Sequence, residues 1–309
     1  MTRHILSLPL ARRLKMFKWH NHVEGKLHCV EGLVQDINMH PGGPGGIEDL
    51  PRDAIAGLFK DAQEKNRPDE VVRLAQTLAQ GGAKLDRFQQ VGVILAHLSL
   101  RESVKAFSAL IELYDQGLSV PERTAESIAE ELAKQAASVD ESYYLLESRK
   151  AAGHSVPLPA VNMVIEACAM MGDLDRAFAT WAELESLGLK PNTGTYNALL
   201  HTCVRTRELA SGRRLLSRMT ADGVKPDSTT FMHQSSLYIM SKETSLALKV
   251  LQECKDARLT PSGKMYVSLI NLLLRSRKLT EAQELLTEME SHHKVSAALK
   301  KKVQEASAA

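Results

Sequence analysis

The residue types that carry catalysis or bind metals are scattered along this chain. His22 and Glu24 have the His-x-Glu spacing of a zinc deaminase, but such a site also needs a Cys-x-x-Cys element, which this sequence lacks. His292 and His293 lie beside lysines, without cysteines or carboxylates at ligand spacing. The glycines within residues 41–46 lack the Lys-Ser/Thr ending of a phosphate-binding loop. We therefore predict no catalytic residue, no metal site and no cofactor, and a protein that is not an enzyme.

The first 23 residues are basic and contain no acid before Glu24; their cations are Arg3, Arg12, Arg13, Lys15 and Lys18. These five positive charges exceed the formal net charge of +2, so residues 24–309 carry a formal charge of about −3. An Arg-rich, acid-poor segment such as Met1–Leu14 is typical of a mitochondrial transit peptide. It is equally typical of a basic arm that contacts nucleic acid. The two interpretations are compatible, and the sequence leaves both open.

The elements that must position any site repeat every 35 residues. The recurring residues are prolines (Pro191, Pro226, Pro261), glycines (Gly153, Gly188, Gly223), leucines (Leu174, Leu209, Leu279) and a small residue (Ala177, Gly212, Ala247, Ala282). A fixed period of this length indicates stacked supersecondary units, which form an extended surface that can hold a long partner.

One period predicts two helices. Apolar residues at Tyr196, Leu199, Leu200 and Cys203 have helical spacing, and Thr193 or Thr195 could cap this helix. A second helix is predicted over about residues 209–221, with Gly223 at its left-handed end and Pro226 preventing its continuation. The chain is therefore predicted to be all-α, a right-handed α-solenoid of about seven 35-residue helical hairpins.

The period also suggests a domain organisation. We expect a basic N-terminal extension over residues 1–39, a Gly/Pro linker over 40–50, degenerate hairpins over 51–157, clear repeats over 158–297 and a basic C-terminal tail over 298–309. No apolar run reaches 18 residues, so no transmembrane helix is predicted. Four distant cysteines, Cys29, Cys168, Cys203 and Cys254, suit a reducing compartment and suggest no disulfide framework.

The clearest repeat resembles the pentatricopeptide repeat, on Thr195-Tyr196-Asn197 and Gly223-Val224-Lys225-Pro226-Asp227. In that family each repeat recognises one RNA base through two side chains. The resemblance implies that Asn197 with Asp227 recognises a pyrimidine, especially uracil, and that Asn162 with Asn192 recognises cytosine. It also implies that Arg205 and Arg275 contact the RNA backbone. The peptide-binding tetratricopeptide repeat is the competing interpretation, but its Trp-x2-Leu-Gly-x2-Tyr start is absent.

Other repeats depart from the family pattern. Met232 with Ser262, and Val267 with Ala297, occupy the base-recognition positions, and neither methionine nor valine can distinguish bases by hydrogen bonds. Met170 and Met240 replace arginine at the backbone-contact position. Asn162 and Asn197 could also serve as local caps or bond to the neighbouring backbone, which leaves their role open.

The resemblance implies a non-catalytic RNA-binding scaffold of an organellar ribonucleoprotein, specifically a mitochondrial ribosome component. Its expected partners are single-stranded or ribosomal RNA and neighbouring ribosomal proteins, with no membrane and no DNA, in the mitochondrial matrix or alternatively the chloroplast stroma. A free transcript-specific factor for mRNA stability, processing or translation is the first alternative. A peptide-binding helical adaptor without RNA is the second.

The basic arm generates a first prediction. Replacing Arg12, Arg13, Lys15 and Lys18 by alanine should weaken binding to single-stranded RNA more than replacing Asn162 and Asn197, because the rest of the chain is formally negative. Each lost phosphate contact should flatten the log–log salt dependence of binding by about 0.7. Titrations of labelled RNA at several salt concentrations measure this, and a dominant effect of the asparagines would instead indicate a sequence-selective protein.

Overall fold

The structure, a computed structural model, describes residues 52–80 and 84–308. Within these ranges it contains fifteen α-helices and no β-strand, which confirms the predicted all-α class. The chain divides into two compact units, Met1–Leu145 and Leu146–Ala309, and the division falls inside one helix. The sequence had suggested a boundary at 157/158, where the repeats become regular.

The described part of the first unit consists of helices paired in chain order. They are α1 (Arg52–Glu64), α2 (Pro68–Gln80), α3 (Arg87–Ser99), α4 (Ser103–Asp115), α5 (Glu122–Leu132) and the start of α6 (Ala136–Ala151). Within this unit α3 packs against both α4 and α5, and α1 packs against α2 and α3.

The second unit holds four regular hairpins and one further helix. Its helices are α7 (Leu158–Met171), α8 (Leu174–Ala182), α9 (Thr193–Thr206), α10 (Leu209–Ala221), α11 (Ser228–Met240), α12 (Thr244–Asp256), α13 (Gly263–Arg275), α14 (Leu279–His292) and α15 (Ala297–Ala308). The first helices of successive hairpins pack side by side, α7 on α9, α9 on α11 and α11 on α13. This is the stacking of an α-solenoid, and the described helices make seven hairpins plus α15.

The apolar stripe of each first helix forms the core, as the spacing predicts. Tyr196, Leu199, Leu200 and Cys203 of α9 are all fully buried. Burial raises the pKa of the Cys203 thiol to about 11, so the thiol stays protonated and behaves as a small apolar group. Cys168 and Cys254 are also buried and form no disulfide, and Cys29 lies outside the described residues.

Helix α15 differs from the basic tail expected over residues 298–309. Leu299 and Val303 are buried, 8% and 0% exposed, and join the core of the last hairpin. The helix packs against α13 and α14. The end of a stacked array exposes an apolar face that needs a cover, and α15 supplies it for the last hairpin.

The small residue of each repeat lies where helices meet. Ala177, Ala247 and Ala282 are fully buried. At Gly212 of α10, an added Cβ would lie 2.5 Å from Cδ1 of Leu237 on α11, in the next hairpin. Leu237 is itself only 1% exposed, so it has little room to move. Position 212 therefore sets the approach of two consecutive hairpins.

Gly212→Leu should lower the free energy of unfolding by about 2 kcal/mol or more, because overpacking a filled helix contact typically costs 1–3 kcal/mol. Urea unfolding followed by circular dichroism measures this. The control is Gly57→Leu in α1, where an added Cβ meets nothing within 4 Å and leucine is the better helix former. A Gly212→Leu protein that melts within a degree of the wild type would contradict the close contact.

Candidate RNA-binding surface

The two pairs predicted to recognise bases are each joined by a hydrogen bond. Nδ2 of Asn197, in α9, donates to Oδ1 and Oδ2 of Asp227 at 3.0 and 3.2 Å. Nδ2 of Asn162, in α7, donates to Oδ1 of Asn192 at 3.1 Å. The structure therefore brings together the members of both pairs, although they lie 30 residues apart in sequence.

A threonine of the next repeat fixes the orientation of each asparagine amide. Oγ1 of Thr230 donates to Oδ1 of Asn197, and Oγ1 of Thr195 donates to Oδ1 of Asn162, each at 2.7 Å. Both threonines are fully buried. Because the amide oxygen accepts from the hydroxyl, the amide nitrogen must face the partner carboxylate or amide.

The second member of each pair also caps the following helix. Asp227 is the N-cap of α11: its Oδ1 accepts from the backbone N–H of Thr230 at 2.8 Å, and its own N–H donates to Thr230 Oγ1 at 3.1 Å. Asn192 and Thr195 form the same capping box at the start of α9. The cap we expected at Thr193 or Thr195 is therefore wrong. Asn192 is the cap, and the pattern of Asn or Asp followed three residues later by Thr was the signal for it.

The two pairs retain hydrogen-bonding capacity for a ligand. An amide nitrogen carries two N–H groups. Nδ2 of Asn162 donates to one described acceptor, and the two described acceptors of Asn197 Nδ2 are the oxygens of a single carboxylate. Asn162, Asn197 and Asp227 are half-buried and Asn192 is exposed, so solvent or a base edge can approach. The described hydrogen bonds of Asn162 and Asn197 are not to the neighbouring backbone, as one interpretation of the sequence allowed, but to the other member of each pair and to a threonine of the next repeat.

The equivalent positions of the last two hairpins are apolar and half-buried. Met232 of α11 and Val267 of α13 replace the asparagines. Ser262 still caps α13, since its hydroxyl accepts from the N–H of Met265 at 3.2 Å. We call Asn162, Asn197, Met232 and Val267 the reading positions. Capping therefore persists at 262, whereas amide side chains at the reading positions are confined to two of the four hairpins of the second unit.

One turn further along these helices lies a polar cluster that the sequence analysis missed. Nδ1 of His201 lies 2.6 Å from Oε1 of Glu166, and the His201 ring stacks on His233 with centroids 5.3 Å apart. Burial lowers the pKa of His233 to about 3, so this ring stays neutral. Glu166 and His201 follow the two asparagines by four residues, the spacing that shares a helix face, and that spacing could have revealed them.

The predicted backbone-contact arginines lie at the far ends of the first helices. Arg205 is exposed, and its Nη2 donates to the backbone oxygen of Met170 at 3.2 Å. Arg275 is also exposed, at the last residue of α13. Neither arginine forms a side-chain ion pair with another residue of 52–80 or 84–308. The predicted arm residues Arg12, Arg13, Lys15 and Lys18 lie outside the described residues.

Within residues 52–80 and 84–308, no group of three or more His, Cys, Asp or Glu side chains is arranged to hold a metal ion. In the same ranges, no helix is both long and apolar enough to cross a membrane.

The threonine contact gives a stability prediction. Thr230→Val keeps the side-chain shape but leaves Oδ1 of Asn197 and the N–H of Asp227 without their partner, and should cost about 1–3 kcal/mol. The matched control is Thr229→Val, one residue earlier on the same helix and exposed, which should change stability by less than about 0.5 kcal/mol. Thermal unfolding of both variants tests this, and equal effects would show that the buried hydroxyl has no special role.

Matches to known protein families fall on the repeat region of the chain. A family model described as pentatricopeptide repeat-containing protein matches residues 61–184, one described as pentatricopeptide repeat domain matches 214–273, and one described as PPR repeat matches 194–224 and 264–293. A pentatricopeptide repeat-containing protein of Arabidopsis thaliana, named as mitochondrial, is 32% identical over 124 residues. That match covers 36% of this chain and 20% of the relative's length.

Solved structures give weaker similarity. Maize PPR10 aligns with a TM-score of 0.48 at 20% identity, over 94% of this chain and 44% of that one. The pentatricopeptide domain of Arabidopsis thaliana protein-only RNase P 1, in complex with tRNA, aligns with a TM-score of 0.47 at 14% identity, over 62% of this chain and all of that domain. The family assignment rests instead on the sequence models, which together cover more than half of the 309 residues. The chain belongs to the pentatricopeptide repeat family.

Proposed function

We propose that this protein is a non-catalytic RNA-binding scaffold of an organellar ribonucleoprotein, and specifically a component of the mitochondrial ribosome. Its ligand is single-stranded or ribosomal RNA, and neighbouring ribosomal proteins are its other partners. The observation that carries the proposal is the pair of pre-oriented amide groups at Asn162 and Asn197. Each is held by a buried threonine and a capping residue before any ligand binds.

Pre-orientation favours recognition of a base edge. A side chain that is already fixed loses little conformational freedom on binding, so more of its hydrogen-bond energy contributes to affinity. An amide offers both a donor and an acceptor, and in the pentatricopeptide repeat family two side chains of each repeat recognise one base, which supports this role for Asn162 and Asn197. Unpaired RNA is the fitting ligand, since only unstacked bases expose their Watson–Crick edges to side chains.

The residues of this surface favour a scaffold function over the specific recognition of one transcript. Only two adjacent reading positions carry amides, and Met232 and Val267 offer apolar contact that accepts any base. Two bases specify too little sequence to select one RNA among many. A protein held in a larger ribonucleoprotein needs less selectivity, because its neighbours help to position the RNA. The mitochondrial name of the Arabidopsis relative supports the compartment.

The ribosomal assignment is tested by sedimentation. Endogenous protein from isolated mitochondria should migrate with one ribosomal subunit in a sucrose gradient and move to the top after ribonuclease treatment. Migration with RNA particles lighter than a subunit would instead indicate a free transcript-specific factor. Migration at the top of the gradient without ribonuclease would contradict the proposal.

RNA recognition is tested by exchanging one reading position. Asn197→Thr should shift the base preference of weak binding from pyrimidine towards purine, as the family pattern implies, while changing affinity for mixed sequences little. Asn271→Thr is the control: Nδ2 of Asn271 donates to the Val267 backbone oxygen and its Oδ1 accepts from Lys302. Titration of labelled homopolymers measures the preference, and an unchanged preference in the Asn197→Thr protein would show that the pair does not contact bases.

A further inference from the structure

A cavity of about 640 Å³ lies in the second unit, at the ends of the first helices opposite to the reading positions. Arg205 follows Asn197 by eight residues, which separates the two ends by about 12 Å at a rise of about 1.5 Å per residue. Three cations line the cavity, namely Arg207, Lys242 and Arg275. We call this cavity, with its three cations, the turn pocket.

The turn pocket combines positive charge with an apolar floor. Leu237 and Leu272, which are 1% and 9% exposed, line it together with Ile239 and Met240. None of the described residues that line it is acidic. The nearest carboxylates in sequence are Glu208 and Glu243, and Glu243 accepts hydrogen bonds from Arg213 at 3.0 and 3.1 Å. The three cations therefore face a cavity without a carboxylate in its wall.

Two of these cations occupy a backbone conformation that favours glycine. Arg207 and Lys242 have φ values of 62° and 61°, and Arg277 continues the series in the next repeat at 55°. The equivalent turn of the preceding repeat uses Gly172, with φ of 74°. Glycine adopts this region without steric cost, whereas a side chain there introduces strain. Arg101 and Arg258 share this conformation without lining the cavity, so strain by itself does not mark a binding site; what distinguishes Arg207 and Lys242 is their position in the cavity wall.

The helix dipole does not account for this arrangement. Cations in the last turn of a helix are favourable beside its negative end, which explains Arg205 and Arg275. In this turn the residue beyond the helix end adopts the left-handed conformation, and Gly172 shows that the turn forms without a charge there. The placement of Arg207 and Lys242 at one cavity therefore points to an anionic ligand.

We propose that the turn pocket binds one nucleotide of an RNA strand, with its phosphates at Arg207, Lys242 and Arg275 and its base or ribose on the apolar floor. The proposal rests on the RNA-binding function proposed above. The volume lies within the usual range of about 300–1,000 Å³ for small-molecule sites, which are apolar with a few convergent polar groups. Arginine binds phosphate oxygens in a bidentate manner and lysine as a point charge.

The test uses the full chain and a fluorescein-labelled oligouridylate, with affinity followed from 0.1 to 1 M salt. Lys242→Asn and the double variant Arg207→Asn/Lys242→Asn remove the charge, while asparagine tolerates the left-handed turn. The log–log salt slope should fall by about 0.7 for the single variant and about 1.4 for the double variant. Because the slope changes by about 0.7 for each lost contact, the loss of affinity relative to the wild type is about fivefold greater at 0.1 M salt than at 1 M salt.

The matched control is Arg258→Asn. Arg258 is exposed, has φ of 59°, lies in the turn between α12 and α13 and does not line the cavity. Its replacement removes the same charge from the same backbone conformation and should leave the slope unchanged. Equal slopes for Lys242→Asn and Arg258→Asn would overturn the site, because the effect would then be general electrostatic attraction.

Two further outcomes separate the site from the proposed function. If the wild type binds RNA and the double variant binds it equally well, the RNA bypasses the turn pocket and only this inference fails. If the wild type binds no RNA even at low salt, both fail together. Competition by millimolar uridine monophosphate distinguishes a free nucleotide from an RNA strand: displacement of RNA by the monophosphate in the wild type, but not in the double variant, supports the pocket.

Discussion

The second unit depends on one hydroxyl contact that joins consecutive hairpins. Thr230 Oγ1 donates to Asn197 of the preceding repeat and accepts from the N–H of Asp227, and Thr195 repeats this pattern with Asn162 and Asn192. The contact caps a helix, orients a candidate base-recognition amide and fixes the register of neighbouring hairpins. Since stacked repeats are stabilised mainly through nearest-neighbour interfaces, a buried polar contact of this kind influences both stability and site geometry.

Apolar packing complements this contact at the other side of the hairpins. Gly212 admits Leu237 because it has no Cβ, and Leu237 in turn forms the floor of the turn pocket. At Tyr196, near the start of α9, burial together with the hydrogen bond to Asp222 raises the pKa of the phenol to about 12. The phenol therefore stays protonated and donates. The threonine hydroxyl contacts therefore lie at the starts of the first helices, whereas the contact of Gly212 with Leu237 lies towards their other ends.

The sequence predicted the elements better than it predicted the contacts among them. The 35-residue period gave the second helix over 209–221 and the left-handed glycine at 223, because apolar spacing and glycine report local conformation directly. The cap at Asn192 was missed because Asn192 had been interpreted as a member of the candidate base-recognition site. One residue can serve both in that site and as a helix cap. Helix α15 was not predicted because its lysines make the segment basic, and the two apolar residues that pack on the last hairpin were therefore overlooked. The turn pocket arises from three repeats together, which no single period reveals.

The capping role of the second pair member limits what the surface can evolve to recognise. Asn192, Asp227 and Ser262 each begin a helix, and only a few residue types do this well: asparagine, aspartate, serine and, less strongly, threonine or glycine. A substitution that improved contact with a new base but could not accept a backbone N–H would weaken the next hairpin. Few residue types are therefore tolerated at these positions, and this limit comes from helix capping and not from contact with nucleic acid.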